Sequence, residues 1–144
     1  VCLMHMRGTP KNMQNNPVYN DVVEEIKNEL LEVVNIAKMN NIEKIILDPG
    51  IGFGKTTYDN LEILKHVGEI CDIGYPLMIG TSRKSFIGKI TKDEVDSRIE
   101  GSLASNILAY LKGATFFRVH DVKSTKKALQ VVTAIENPDE YMRV

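Results

Sequence analysis

The sequence predicts an α/β fold in which four successive βα units build one parallel sheet. Two observations predict it. Four short apolar runs alternate with four segments of helical periodicity, and each run ends in a cluster of polar, Gly and Pro residues before the next helix begins. Strands separated by helices are parallel, because parallel neighbours need a crossover connection.

The first run is Val1 to Met6, followed by a loop from Arg7 to Pro17 and a helix from about Asn20 to Asn40. Asp21 with Glu24 resembles a capping box, and Val22, Ile26, Leu30, Val33, Val34 and Ala37 share one face at the 3.6-residue period. The second run, Lys44 to Leu47, leads through Asp48 to Thr57 into a helix carrying Leu61, Leu64, Val67 and Cys71. Pro76 opens the third run, which ends at Gly80. A longer connection follows, then a helix from about Ser97 with Ile99, Leu103, Ile107 and Leu111 at helical spacing, closed by Gly113 as a C′ glycine. The fourth run, Thr115 to Val119, precedes His120, Asp121 and a helix bearing Ala128, Leu129, Val132 and Ile135. The inner face of the sheet is expected from residues such as Leu3, Ile45, Leu47, Met78, Phe117 and Val119, the alternation being too short to say which of them point inward.

Length and charge narrow the function. A chain of 144 residues is enough for one domain, and a net charge of −1 gives no electrostatic reason to expect nucleic acid or an anionic membrane as partner. No apolar stretch approaches the roughly 20 residues of a membrane span. Cys2 and Cys71 lie far apart, without CxxC or a Cys/His cluster, so no zinc site is indicated and a reducing, cytoplasmic setting is expected. Val1 falls inside what reads as a strand, so a piece of a longer protein is expected.

In parallel α/β sheets ligands bind where the strands' carboxyl ends meet the βα loops. Those four ends hold His5, Arg7 and Gly8; Asp48, Gly50, Phe53, Gly54 and Lys55; Gly80, Ser82, Arg83, Lys84 and Ser85; and Arg118, His120 and Asp121. Cations outnumber acids there, describing a pocket for an anion plus something that needs a carboxylate. Taken singly, Arg7 and Lys55 read as solvated charges and His120 as a structural histidine. Asp48 followed by Pro needs a specific partner if buried. The stretch GIGFGKT from Gly50 mimics a phosphate-cradling GxxxxGK[ST] loop, but the required first glycine falls on Pro49, which argues against a nucleoside triphosphatase.

Four motifs, LMHMRGTP at 3–10, DPGIGFGK at 48–55, GTSRKSFIG at 80–88 and RVHDV at 118–122, resemble dihydropteroate synthase in order and spacing. The resemblance implies that residues 1–144 form the C-terminal half of a pterin-binding (β/α)8 TIM barrel, strands five to eight with their helices. It implies condensation of 6-hydroxymethyl-7,8-dihydropterin diphosphate with p-aminobenzoate to 7,8-dihydropteroate and diphosphate in folate biosynthesis, with Mg2+ assisting and a homodimer as the assembly. By motif, Asp48 would accept from the pterin's N3 and 2-amino group, as a carboxylate meets a guanidinium. Lys84 would reach the pterin, with Met4, Gly80 and Phe53 lining that pocket. Phe53, Ser82, Arg83 and Ser85 would contact p-aminobenzoate, and Arg118 and His120 would hold the diphosphate; Asp48, Lys84, Arg118 and His120 form the expected catalytic set. No metal ligand is identifiable. The family's N-terminal loops are absent, so the isolated chain is expected to be inactive. Two other readings stay open: a pterin-binding methyltransferase domain, in which no diphosphate binds, and a non-catalytic half-barrel scaffold.

Overall fold

The computed structural model describes residues 1–9, 11, 13 and 17–142. Four βα units appear in the expected order. Strand β1 is Cys2–Met4, β2 Ile46–Asp48, β3 Met78–Ile79 and β4 Phe116–Phe117. Helix α1 is Val22–Met39, α2 Thr57–Lys65, α3 Val67–Cys71, α4 Ser85–Thr91, α5 Ile99–Leu111, α6 Val122–Glu136 and α7 Pro138–Tyr141. β1 pairs with β2 and β3 with β4, both parallel, and a Leu47–Leu77 bridge joins the pairs. Each strand thus lies beside its predecessor. Helices follow the same order: α1 packs on α2, α2 on α5 and α5 on α6.

Local chemistry sets the helix ends. The Asp21 carboxylate caps α1 by accepting from the N–H groups of Val23 and Glu24. The reciprocal acceptor is Glu25, which takes the N–H groups of Asn20 and Asp21, in place of the expected Glu24. Thr56 and Asp59 form a full capping box on α2. The single helix expected through Leu61 to Cys71 is two, broken at His66. A C-cap at Lys112 and a positive φ at Gly113 end α5 as expected.

Period two in the strands decides what faces what. Leu3, Leu47, Leu77, Ile79 and Phe117 join the helices in one core with Ile26, Leu30, Val34, Ile63 and Ile70. The alternate set, Cys2, Met4, Ile46, Met78 and Phe116, lies on the other face, where Met4 is 39% and Phe116 42% exposed. This settles the phase that the sequence left open: of the residues expected to build the inner face, Leu3, Ile45, Leu47 and Phe117 pack toward the helices. Short strands leave the phase of the alternation ambiguous until the helices are placed. Carrying the open-face phase to the strand ends adds Asp48, Gly80 and Arg118, and two residues further, Ser82 and His120.

Two helix faces also differ from expectation. On α1, Val23 is buried and Val33 is exposed. On α5, Ile99, Leu103 and Ile107 are half-buried and Leu111 is exposed, while Ser102, Ser105, Asn106 and Ala109 point inward. That polar stripe, at i, i+3 and i+4, braces the loop after β3.

Candidate functional site

The site begins with the loop after β2, whose backbone polar groups are satisfied one by one. Asp48 is buried and its carboxylate accepts from the Gly50 N–H at 2.8 Å. Asn60 from α2 takes the Gly52 N–H at 2.7 Å, and the Tyr19 hydroxyl donates to the Gly54 carbonyl at 2.9 Å. Lys84 Nζ donates to the Ile51 carbonyl at 2.8 Å and lies 4.2 Å from the Phe53 ring centroid. Gly50 could be no other residue. Its φ is +68°, and a Cβ there would lie 1.9 Å from the His5 carbonyl oxygen.

Lys55 is the main correction to the residues read singly. It is 4% exposed, not solvated, and its Nζ reaches three acceptors: His5 Nδ1 at 2.9 Å, the Phe53 carbonyl at 3.0 Å and the Gly50 carbonyl at 3.1 Å. Three acceptors match the three hydrogens of an ammonium. With Nδ1 accepting, the His5 proton is on Nε2, which donates to Glu29 at 3.0 Å. Burial pushes Lys55 down to about 7, and burial with the adjacent Lys55 cation pushes His5 down to about 4. Arg7 is likewise no free charge, being paired with Glu25 and Glu29 and stacked over Tyr19.

Asp48 carries the carboxylate expected of the site. Burial raises its pKa, opposed by the Gly50 N–H and by Arg118, Lys84 and Lys55. The Lys84 ammonium is pushed down by burial and by Arg118. Arg118 follows β4, its N–H bonded to the Ile79 carbonyl, and its guanidinium flanks Gly80 with no hydrogen bond or ion pair among the described residues. Asp48, Lys84 and Arg118 therefore form one electrostatic group, drawn from the carboxyl ends of β2, β3 and β4. A cleft of about 480 Å3 opens beside it, lined by Gly80, Ser82, Lys84, Arg118 and His120 among others. A larger recess of about 1250 Å3 runs along α6 against Phe117 and Leu129, away from these groups.

Two ties join the loops after β3 and β4. Ser82 Oγ lies 3.0 Å from His120 Nδ1 and accepts the His120 N–H at 3.1 Å. The Arg83 guanidinium makes a bidentate pair with Asp121 at 2.9 and 3.1 Å and reaches Asp96 at 2.9 Å. Behind them α5 holds the loop: Ser102 accepts the Arg83 N–H at 2.9 Å, and Thr81, Ser105 and Asn106 form a buried chain of hydrogen bonds at 2.8 and 2.9 Å. Arg83 is held at φ +57°.

Of the residues expected at the site, Asp48, Phe53, Gly80, Ser82, Lys84, Arg118 and His120 gather on this rim. Met4 lies on the open face in register with Asp48. Ser85 is exposed at the first residue of α4. The Arg83 guanidinium is committed to carboxylates. His5 and Lys55 were placed at the strand ends by the sequence, but not their burial or their pairing; missed altogether were Asn60 and the Ser102, Ser105, Asn106 stripe, of which only the stripe left a local signal, three polar residues on one face of an apolar helix.

The Pterin binding enzyme family model matches residues 1–120. A dihydropteroate synthase of Haemophilus influenzae is 44% identical over 139 residues, covering 95% of this chain and 50% of that protein. The Yersinia pestis dihydropteroate synthase structure, a sulfonamide drug complex, superposes with a TM-score of 0.92 at 39% identity, covering 95% of this chain and 51% of that one. A Thermus thermophilus dihydropteroate synthase solved in complex with 4-aminobenzoate gives 0.91 at 36% identity, covering 94% and 56%. The chain thus spans about half the length of the relatives it matches.

Proposed function

The chain belongs to the family of pterin-binding enzymes, and from that premise we propose that it is the C-terminal half of a dihydropteroate synthase barrel, strands five to eight with their helices. The activity is condensation of 6-hydroxymethyl-7,8-dihydropterin diphosphate with p-aminobenzoate to 7,8-dihydropteroate and diphosphate. The observation that carries this reading is the buried Asp48 carboxylate with Lys84 and Arg118 beside it. A carboxylate for the pterin's paired N–H donors and cations for a diphosphate are what the two ends of that substrate require. The Thermus relative's complex with 4-aminobenzoate supports an aromatic carboxylate as the second substrate.

In the proposed reaction the C–O bond to the diphosphate breaks ahead of C–N bond formation. Positive charge develops on the pterin methylene and negative charge on the leaving diphosphate, and the amine nitrogen attacks and loses a proton. Arg118 and His120 stabilise the leaving group, Asp48 the pterin, and Lys84 borders both. Phe53, Ser85 and the loop around Ser82 and Arg83 bound the aminobenzoate side. No nucleophilic side chain is needed.

Mg2+ is part of the proposal, held mainly by the substrate's diphosphate oxygens and water, as this ion commonly is: no group of three His, Cys, Asp or Glu side chains gathers among the described residues, and the nearby Asp48 and Asp121 are engaged with Gly50 and Arg83. Any Mg2+ would draw on other ligands. No helix among the described residues is long and apolar enough to cross a membrane. A homodimer in a cytoplasmic setting completes the proposal.

The test is calorimetric titration of the chain with inorganic diphosphate, wild type against Arg118→Ala. Binding that Arg118→Ala abolishes supports the synthase; no diphosphate binding, with pterin still bound, points to a methyltransferase-type domain.

A further inference from the structure

We infer that Ser82 is a positioning residue, whose hydroxyl donates to His120 Nδ1 and holds the ring proton on Nε2, where it faces the anion. The inference rests on the diphosphate reading above, but its first half is a statement about this chain alone.

The geometry carries it. Ser82 is 6% exposed, and both hydrogen bonds of its Oγ are to His120: it accepts the backbone N–H at 3.1 Å and lies 3.0 Å from Nδ1. A serine hydroxyl has one hydrogen to donate. If Nδ1 carried the imidazole proton, Oγ would face two N–H donors, and its own hydrogen would have no acceptor among the described residues. A partly buried donor left without a protein acceptor loses the bond that the other tautomer makes. With Nδ1 as acceptor, every group in the pair is satisfied, and the ring proton is on Nε2.

Nε2 is across the ring from Ser82 and has no hydrogen-bond partner among the described residues. His120 lines the 480 Å3 cleft with Arg118 and Gly80. A neutral imidazole presenting Nε2–H gives an oxyanion a directed donor, while Arg118 supplies the charge. The opposite tautomer would present a lone pair and repel it. The neighbouring Arg83 pair with Asp121 fixes the same two loops, so the Ser82 contact is made between anchored backbones.

The experiment is ring-15N NMR of the chain above pH 8, where the signals come from His5, His66 and His120 and the last is assigned with His120→Gln. The expected result is a pyridine-type Nδ1 and a pyrrole-type Nε2 for His120. A pyrrole-type Nδ1 for His120 in the wild type overturns the inference. Ser82→Ala should mix the tautomers and Ser82→Thr restore the single form; an unchanged spectrum in Ser82→Ala also overturns it. Titration with inorganic diphosphate then tests the use of Nε2: Ser82→Ala should weaken binding by up to about twofold through the lost tautomer population, with Ser82→Thr near wild type. An intact tautomer with no diphosphate binding in the wild type overturns the assigned ligand and leaves the Ser82 geometry standing.

Discussion

Lys55 Nζ donates to His5 Nδ1 at 2.9 Å, joining residues fifty positions apart in a buried pair with one charge between them. The pair ties the end of β1 to the glycine loop after β2, and Glu29 extends it to α1. Both members titrate below their ordinary values, so stability must depend on pH.

The sign follows from which state binds protons. Unfolded His5 takes a proton as pH falls through 6.5, but folded His5 only near about 4. Its contribution is intact above 6.5 and is lost as pH falls from there to 4. Lys55, at about 7 folded against 10.5 unfolded, adds stability as pH rises between those values. Urea unfolding of the chain across pH 4 to 10 should show both rises. In His5→Gln the lower rise should flatten; a wild-type slope there would mean another group titrates.

Asp48→Asn should leave the fold intact, because the amide oxygen can still accept the Gly50 N–H. Pterin affinity should drop, since an NH2 then meets a donor, by about 1.5–3 kcal/mol for the lost charge-assisted bond. Titration with a pterin lacking the diphosphate checks this, and unchanged affinity would remove Asp48 from the site.

Two glycines separate close approach from backbone strain. Gly50 and Gly74 have φ of +68° and +90°, but an added Cβ at Gly74 meets nothing within 4 Å, against 1.9 Å to the His5 carbonyl at Gly50. Gly74→Ala should cost only the left-handed strain, about 1–2 kcal/mol. Gly50→Ala should cost clearly more and disturb pterin binding. Equal thermal shifts for the two would show that the loop relaxes.

The open sheet face should drive association. Cys2, Met4 and Phe116 are exposed on it, and β1 and β4 each lack a partner on their outer side among the described residues. Light scattering coupled to size exclusion at micromolar concentration should report a dimer. A cooperative, stable monomer would show that these edges are tolerated.

The βα alternation, the parallel sheet and the polarity of the site are legible in the sequence. These follow from local periodicity and from Gly, Pro and polar residues closing each strand, so Asp48, Lys84, Arg118 and His120 could be placed on one rim before any contact was known. Tertiary structure alone decided which face of each short strand meets the helices, because two or three residues do not fix the phase of an alternation. It also decided the state of the cations. Lys55 and Arg7 look identical to solvated charges in sequence; what buries or pairs them is His5, Glu25 and Glu29, brought in from other elements. Arg83 is taken up by Asp121, thirty-eight residues on, and Ser82 by His120. Partners that distant in the chain leave no local pattern, since burial and tautomer are set by what packs over a side chain and not by its neighbours in sequence.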